Sequence, residues 1–426
     1  MSRILFVNAP FGFFFRDLAR EIEKNGGVVF RIVADGGEYL YTPKRNRVRF
    51  DGGAQAWDIF IEQTISTYAI DTIVTFNDCL RRARDALEIA KKMHVARFVL
   101  ENGYIRPFWV TLDRNGVNGH SPLPQDPALY LQQAQPEPEH EVFDCRERAH
   151  VANTIGYYMA AVSLWPFMSF DASQFGVSMW KQGVFYAKEW LWRQMHDDWR
   201  ALGAMDEARR RDRRIFACLL QKSGDAQLVV HSKYGGNDRF VEDVLQSFAR
   251  HAPPDSLLVI KQHPLDYVSS QGRATACARR AGVEDRVIYL RNTEIDAVFE
   301  RVDGIVTVNS TAGLTAVVRG LPTVALGVAL YDMPDMTFQS GLDAFWTEAT
   351  PPNRALVLAF VSYLKRTSQI NGGFHTRQAR RILVPRLAAA LALSGERQAV
   401  ATSVAPAHAE AGARAEAILA PSGAVG

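Results

Sequence analysis

The feature that most constrains the fold is an alternation of short apolar runs with amphipathic segments, which occurs twice along the chain. Buried parallel strands read as continuous apolar runs, and the amphipathic segments between them have a helical period. In the N-terminal half the apolar runs are 4–7, 28–33, 72–76 and 96–100. In the C-terminal half they are 215–220, 257–261, 286–290, 304–308 and 323–326. We therefore predict an α/β protein with two doubly wound, Rossmann-like parallel sheets.

The division into domains follows from the length of the chain and from changes in its composition. At 426 residues the chain is too long for one ordinary core. We predict an N-terminal Rossmann-like domain at 1–205, which includes a Trp-rich helical insertion, and a second Rossmann-like domain at 206–350. Helices at 351–394 are expected to close the fold. Residues 395–426 are rich in alanine without a bulky periodic face, which predicts a disordered tail.

Bulk composition argues against several classes of protein. The formal net charge is only +3, so no nucleic-acid partner is indicated. The four cysteines are far apart and form no C-x-x-C pair, which favours reduced thiols in the cytosol over a disulfide framework or a zinc site. The histidines outside the motifs have no metal-ligand spacing, so we expect them, His120 included, to be structural or exposed. No stretch approaches the ~18–20 apolar residues that span a bilayer. If the protein acts at a membrane, we therefore expect it to act from the membrane surface.

Two polar segments of the C-terminal half follow predicted strands. Lys261-Gln262-His263-Pro264 ends one apolar run, and Asn309-Ser310-Thr311 lies where another run meets a predicted helix. Lys261 and His263 are potential phosphate donors, and Pro264 fixes the turn. Ligands of open α/β sheets bind beyond the carboxyl ends of the strands, and helix N-termini bind anions.

Each segment also has a structural interpretation. The first segment could be a capped strand end with a surface histidine, and Ser310 or Thr311 could serve only as a helix N-cap. The occurrence of both segments within one half of the chain favours a nucleotide phosphate. The sequence contains neither G-x-G-x-x-G nor G-x-x-x-x-G-K-[ST], which disfavours a dinucleotide site and a P-loop.

A candidate carboxylate follows the fourth apolar run. Glu101 begins the segment Glu101-Asn102-Gly103, which should lie at the carboxyl edge of the N-terminal sheet. A carboxylate there suits general base or nucleophile chemistry at a sugar carbon. Local pairing of Glu101 with Arg106 is the structural alternative. Residues 106–141 are polar and contain several prolines, and we expect them to be irregular.

Two further turns could contact ligands. Asn8-Ala9-Pro10-Phe11-Gly12 follows the first apolar run, and its small residues would let an acceptor approach the backbone. The loop 327–332, which contains Tyr331, follows the last run and could help to close the nucleotide pocket. A plain connecting loop explains either segment equally well.

These segments, taken in order, resemble the bacterial capsule polysaccharide biosynthesis family, over roughly residues 1 to 365. The resemblance is carried by Lys261-Gln262-His263-Pro264, by Glu101-Asn102-Gly103 and by the segments 8–12, 104–107, 116–118, 220–225, 308–313 and 327–332. It implies a GT-B fold, in which two Rossmann-like domains face a cleft. It further implies a single-module β-Kdo transferase, which moves 3-deoxy-D-manno-octulosonic acid (Kdo) from CMP-Kdo to a lysophosphatidylglycerol-type lipid.

The resemblance also assigns roles to residues. His263, Ser310 and Thr311 would contact the CMP phosphate, and Glu101 would be the catalytic carboxylate. The remaining donor-side residues would be Lys261, Pro264, Asn309, Gln221 and Tyr331, and the acceptor-side residues Asn8, Gly12, Tyr104, Arg106 and Asn118. The similar acidic-acidic-Gly motif of bacterial sialyltransferases is here Glu101-Asn102-Gly103, which leaves open whether Glu101 is a nucleophile or a base.

The implied setting is cytoplasmic, on the inner face of the cytoplasmic membrane. The partners would be a nucleotide sugar, a lipid acceptor and a capsule export complex. We expect no cofactor apart from the CMP-Kdo donor, and no metal. Two alternatives remain at this stage: a GT-B transferase or epimerase that uses another nucleotide sugar such as a UDP-sugar, and a non-catalytic capsule assembly factor. The Trp-rich stretch 180–199 could dock on a membrane or form part of a helical core.

Overall fold

The computed structural model describes residues 1–9, 12–145, 147–164, 198–223, 232–264 and 269–401, together with residues 188, 228 and 266. Within this part, the chain forms two compact units. The first contains residues 1–122, 137–164 and 364–401, and the second contains residues 123–136 and 198–363. Each unit is built around one β-sheet.

All the predicted strands are present, and three further short strands join the first sheet. In chain order the strands are β1 (Arg3–Val7), β2 (Val28–Val33), β3 (Arg47–Arg49), β4 (Thr72–Phe76), β5 (Ala96–Asn102), β6 (Trp109–Arg114), β7 (Ile215–Leu219), β8 (Leu257–Lys261), β9 (Val287–Leu290), β10 (Gly304–Thr307), β11 (Thr323–Ala325) and β12 (Gln369–Asn371). The first sheet has the order β12-β6-β5-β4-β1-β2-β3, and the second has the order β11-β10-β7-β8-β9.

Helices cover both faces of each sheet. They are α1 (Phe14–Lys24), α2 (Gly36–Tyr41), α3 (Trp57–Thr67), α4 (Arg81–Lys92), α5 (Pro127–Gln132), α6 (Glu147–Ser163), α7 (Trp199–Arg210), α8 (Asn237–His251), α9 (Gln271–Arg280), α10 (Ile295–Phe299), α11 (Thr311–Val318), α12 (Leu342–Glu348), α13 (Arg354–Thr367) and α14 (Arg377–Ala401). In the first unit, neighbouring residues of β1 pack against different helices. Phe6 packs with α1 and α14, whereas Leu5 packs with α3 and α4.

The second unit repeats this layering. Phe216 of β7 lies in a cluster with residues of α8, α9 and α12, and Ala217 lies in the opposite cluster with residues of α7 and α10. All four strand pairs of this sheet are parallel. Their carboxyl ends therefore share one edge. The predicted α/β class with two doubly wound sheets is confirmed.

The first sheet is not wholly parallel, which corrects one expectation. β1, β2, β3, β4 and β5 pair in parallel, but β6 is antiparallel to β5, and β12 is antiparallel to β6. β6 lies inside the segment that we expected to be irregular. The six residues 103–108 between β5 and β6 are too few for a parallel crossover, so the chain reverses there.

The C-terminal region also differs from expectation. The predicted closing helices are present as α13 and α14, but β12 joins the first sheet and Leu387 of α14 packs in the same cluster as Phe14 of α1. The compact units therefore do not follow the predicted boundaries at 205 and 350. Because α14 continues to Ala401, residues 395–401 of the expected tail are helical. The rest of the expected tail lies outside the described residues.

Buried charges accompany the close packing of α2 on α6. A Cβ atom on Gly37 would lie 2.7 Å from the ring of Tyr157, so glycine is needed at this contact. The Tyr157 hydroxyl donates to Oδ2 of Asp35 at 2.6 Å, and Glu38 accepts the N–H of Ala34 at 2.8 Å. Burial, together with the charge of Asp35, raises the pKa of Glu38 from 4.5 to about 7.

Candidate functional site

At the carboxyl edge of the second sheet, the residues that follow β7 and β10 are joined by hydrogen bonds. β7 and β10 are neighbours in the sheet. The main-chain N–H of Asn309 donates to Oε1 of Gln221 across 3.4 Å. Nδ2 of Asn237, the first residue of α8, donates to the main-chain oxygen of Gln221 at 2.6 Å. The structure therefore brings together Gln221 and Asn309, two of the predicted donor-side residues.

Ser310 and Tyr331 form a second connection at this edge. Ser310 is the N-cap of α11, and its Oγ accepts the N–H of Ala312 at 3.1 Å. The Tyr331 hydroxyl donates to the main-chain oxygen of Ser310 at 2.7 Å. Burial raises the pKa of the Tyr331 phenol, so this group remains a protonated donor. The loop that contains Tyr331 is therefore fastened to the N-terminus of α11.

Gly313 makes this connection possible. A Cβ atom at position 313 would overlap the hydroxyl of Tyr331 and would lie 2.8 Å from Cγ2 of Thr307. The first turn of α11 thus fits tightly between the end of β10 and Tyr331. The motif that contains Gly313 was recognised in the sequence, but the reason for glycine became visible only in the packing.

The structure changes the role expected of Lys261. Its side chain is buried, and Nζ donates to the main-chain oxygens of Gln262 at 2.6 Å and of Arg291 at 3.3 Å. Lys261 therefore holds the loop after β9, and its contact with a nucleotide sugar stays a prediction. Oδ2 of Asp198 holds the same loop by accepting the main-chain N–H groups of residues 291–293.

His263 and Pro264 continue beyond the end of β8. His263 is partly exposed, and its main-chain oxygen accepts the N–H of Asp266 at 3.0 Å. In the sheet, β7 lies between β8 and β10. His263 and Ser310 therefore follow strands that are two steps apart, on the order of 10 Å. A phosphate with its attached sugar is long enough to contact residues at this spacing.

The chemistry of this edge suits an anion. The N-terminus of α11 carries a partial positive charge, while the N–H groups of Ala312 and Gly313 are already bonded to Ser310. Ser310 and Thr311 add hydroxyl groups, and His263 adds an imidazole. None of the predicted donor-side residues carries a negative charge, so an anionic ligand would meet no repulsion from them.

In the first unit, Glu101 lies near the carboxyl end of β5 with its carboxylate held by neighbours. Nδ2 of Asn77 donates to Oε2 of Glu101 at 2.8 Å, and the N–H of Asn102 donates to Oε1 at 3.0 Å. Oδ1 of Asn77 in turn accepts the N–H of Cys79 at 2.8 Å, just before α4. This turn therefore fixes the direction of the Glu101 carboxylate.

Tyr104 does not fit the acceptor-contacting role that was expected of it. Only 1% of Tyr104 is exposed, and its hydroxyl donates to Oδ2 of Asp113 at 3.0 Å. The same hydroxyl accepts the N–H of Asn118 at 2.8 Å, while Ser121 also donates to Oδ2 of Asp113. Burial raises the pKa of Asp113 to about 6 against the effect of these hydrogen bonds. Tyr104 therefore supports the loop that contains Asn118 from inside.

The remaining acceptor-side residues lie in different surroundings. Asn8 is buried, and its Nδ2 donates to the main-chain oxygen of Phe76 at 2.9 Å, which links the ends of β1 and β4. Gly12 has φ 59, and a Cβ there would lie 2.9 Å from Oδ1 of Asn153. Arg106 is exposed, and its Nε donates to the oxygen of Gly103 at 3.3 Å. Pro10 and Phe11 of this motif lie outside the described residues.

The sequence analysis did not predict the pairing of Asp78 with His120 at the carboxyl edge of the first sheet. Nδ1 of His120 lies 3.1 Å from Oδ2 of Asp78, which also accepts the N–H of Val117 at 2.9 Å. The thiol of Cys79 contacts the other carboxylate oxygen at 3.2 Å. Asp78, Cys79 and His120 bring possible metal-ligand atoms within 4.8 Å of one another. Because these atoms are already hydrogen bonded to each other, we interpret the group as a histidine oriented by a carboxylate.

Two predictions concerned a membrane: the absence of a spanning segment and a Trp-rich docking stretch. Within the described part of the chain, no helix has the length and apolar character needed to cross a bilayer. Trp180, Trp190 and Trp192 of the proposed docking stretch lie outside that part. Trp199 begins α7 and is 61% exposed.

The fold defines an α/β protein whose parallel strands end in polar segments, which is where open α/β sheets bind their ligands. Residues 71–375 match the family model described as capsule polysaccharide biosynthesis protein. The chain belongs to this family, as the order of its motifs predicted.

Comparison with individual proteins gives the same family. The capsule polysaccharide modification protein LipB of Neisseria meningitidis serogroup A is 30% identical over 398 residues, which cover 88% of this chain and 92% of LipB. The capsule polysaccharide export protein KpsS of Escherichia coli is 27% identical over 377 residues, which cover 88% and 97% of the two chains. Among solved structures, the β-Kdo 2,7 transferase KpsC of Thermosulfurimonas dismutans has a TM-score of 0.44 at 12% identity, over 92% of this chain and 99% of that one.

Proposed function

We propose that this protein is a glycosyltransferase that moves Kdo from CMP-Kdo to a lysophosphatidylglycerol-type lipid and so begins the linker of a capsule polysaccharide. The observation that carries the proposal is the connected edge of the second sheet, where Gln221 binds Asn309 and Tyr331 binds Ser310. CMP-Kdo carries two negative groups, the phosphodiester and the sugar carboxylate. The N-terminus of α11, with Ser310, Thr311 and His263 beside it, provides donors for such groups.

The first unit supplies the second part of the proposal. Glu101 presents a carboxylate whose two oxygens are held by Asn77 and Asn102. A fixed carboxylate can attack the anomeric carbon of Kdo or deprotonate the acceptor hydroxyl. In a retaining transfer, the carboxylate forms a covalent sugar intermediate, which the acceptor then resolves.

Nucleotide binding tests the donor assignment. A ligand that binds only the folded protein raises its stability by about 2.7 kcal/mol at one hundred times its Kd. We expect CMP to raise the melting temperature in a scanning fluorimetry titration and UDP to have a much smaller effect. A larger effect of UDP would favour the alternative of a UDP-sugar transferase or epimerase. No shift with either nucleotide at millimolar concentration would contradict a nucleotide-sugar enzyme.

The proposed acceptor places the protein at the inner face of the cytoplasmic membrane, beside the capsule export machinery. A lipid acceptor has to be reached where its headgroup meets water, so the transferase would work at the bilayer surface. Co-sedimentation with anionic vesicles tests this location. Recovery of the protein in the soluble fraction at every lipid concentration would contradict it.

A further inference from the structure

The loop 115–121, which follows β6, is held by two buried carboxylates. Asp113 accepts a hydrogen bond from the hydroxyl of Ser121 at 2.8 Å. It also accepts one from the hydroxyl of Tyr104, which in turn accepts the main-chain N–H of Asn118. Asp78 accepts the N–H of Val117 at 2.9 Å and holds the ring of His120. These anchors hold the loop on the sheet, and the contact with Asp78 sets the direction of the His120 ring.

The contact with Asp78 determines how the imidazole can act. The Asp78 side chain is 3% exposed and the His120 side chain is 47% exposed. Burial opposes ionisation of Asp78, but the hydrogen bonds from His120 and Val117 outweigh it, and the pKa of Asp78 lies below its usual value. A carboxylate only accepts hydrogen bonds, so Nδ1 of His120 carries the hydrogen. Nε2 is then the nitrogen that can take up a proton from a substrate.

Asp78 and Glu101 are presented by the same part of the sheet. β4 and β5 are adjacent and parallel. Asn77, which follows β4, donates to Glu101, and Asp78 is the next residue. Cys79 and Asp113 interact with Asp78, and Glu101 lies beyond Asn77. The sheet edge therefore combines a fixed carboxylate with an oriented histidine.

We propose that His120 accepts the proton of the acceptor hydroxyl during sugar transfer and that Asp78 is its positioning residue; this inference rests on the proposed glycosyl transfer. The hydroxyl oxygen forms a bond to the anomeric carbon while its proton passes to Nε2 of His120. The bond between that carbon and the carboxylate oxygen of Glu101 breaks, and its electron pair returns to Glu101. In the preceding step, Glu101 displaced the phosphate of CMP from the same carbon. With His120 as the base, Glu101 is the nucleophile.

The variant His120→Asn separates the two steps. Asparagine can still donate to Asp78, but it has no nitrogen that takes up a proton. We expect transfer to the lipid to fall at least about 100-fold, while the Kd for CMP and the melting temperature stay close to those of the wild type. Because the first step does not need His120, intact-mass spectrometry should show a Kdo adduct on His120→Asn after incubation with CMP-Kdo. The adduct should be absent from the double variant His120→Asn, Glu101→Gln.

Chemical rescue and two controls complete the experiment. Imidazole added to His120→Ala should restore part of the transfer, which a purely structural role of the ring would not permit. His94→Asn is the matched control, because His94 is exposed with φ 58, which asparagine tolerates, and it should transfer at the wild-type rate. Transfer by His120→Asn within threefold of the wild type would overturn the role of His120. So would loss of wild-type transfer on chelation with recovery on adding zinc, since the group would then be a metal site.

The reaction of the wild type distinguishes a failure of the role of His120 from a failure of the proposed function. If the wild type transfers Kdo and His120→Asn does so equally well, only the inference about His120 fails. If the wild type forms neither a lipid product nor CMP from CMP-Kdo, the proposed function fails, and the role of His120 fails with it.

Discussion

The hydroxyl of Tyr331 donates to the main-chain oxygen of Ser310 at 2.7 Å and so fastens the loop after β11 to the start of α11. In Tyr331→Phe this hydrogen bond is lost, at a cost of about 1 kcal/mol. We expect a lower melting temperature and a Kd for CMP that rises several-fold, measured by calorimetry. In the control Tyr234→Phe, which removes a 2.7 Å hydrogen bond to Asp243 of α8, the stability should fall similarly without a change in Kd. Equal effects of both variants on CMP binding would contradict a donor site at Ser310.

Gly313 and Tyr331 should be energetically coupled. A Cβ atom at position 313 would overlap the Tyr331 hydroxyl, so Gly313→Ala should destabilise the protein by about 1–3 kcal/mol. Removal of the hydroxyl relieves part of that overlap. In a double-mutant cycle, Gly313→Ala should therefore cost less in the Tyr331→Phe background than in the wild type. Denaturant unfolding measures the four stabilities, and strictly additive values would contradict the packing described here.

Glu101→Gln preserves the shape of the side chain and one of its acceptor oxygens but removes the charge. We expect transfer to fall by at least about 100-fold, because a neutral amide is neither a nucleophile nor a base. CMP binding should persist, since the proposed donor residues belong to the other compact unit. Glu62→Gln, on the exposed side of α3, is a matched control that should leave the rate unchanged. Full activity of Glu101→Gln would remove this carboxylate from the mechanism.

Glu38 predicts a pH dependence of stability. Burial raises its pKa from 4.5 to about 7, so the folded protein binds more protons than the unfolded chain between these values. The free energy of unfolding therefore falls as the pH rises from about 4.5 to about 7, and Glu38 causes no further fall above that range. In Glu38→Gln this fall is absent, because glutamine does not titrate. Relative to the wild type, the variant should gain up to about 3 kcal/mol between pH 4.5 and pH 8.

Unfolding curves of both proteins across this pH range provide the measurement. Glu62→Gln serves again as the control, and its stability should follow the wild-type pH profile. Parallel profiles for Glu38→Gln and the wild type would mean that Glu38 titrates in the folded protein as it does in the unfolded chain.

The main features of the fold could be read from the sequence because buried parallel strands are continuous apolar runs. β6 was missed because it lies among polar residues and prolines, and its antiparallel pairing is set by the short connection from β5. β3 and β12 are three residues long, too short for a periodic signal. The path of the chain back to the first sheet at 369–371 depends on tertiary packing, which has no local pattern.

The candidate site was predictable where function follows from a strand end. Ser310 and Gln221 were both predicted to follow strand ends, but β8 and β9 lie between their strands in the sequence, so their proximity became visible only in the order of the sheet. The pairing of Asp78 with His120 joins positions 42 residues apart, and no spacing rule connects them. Tyr104 was expected to contact the acceptor because it lies close to Glu101 in the sequence. That closeness does not reveal that the ring of Tyr104 is buried.

The most direct test of the proposed Kdo transfer is mass spectrometry of the products after incubation of the protein with CMP-Kdo and a fluorescent lysophosphatidylglycerol. If the protein is a Kdo transferase, the lipid product should be heavier by one Kdo residue, and an equal amount of CMP should be released. Omission of the lipid should prevent the product, and UDP-sugars should not replace CMP-Kdo. A lipid that remains unmodified while CMP-Kdo stays intact would contradict the proposal that this protein is a Kdo transferase.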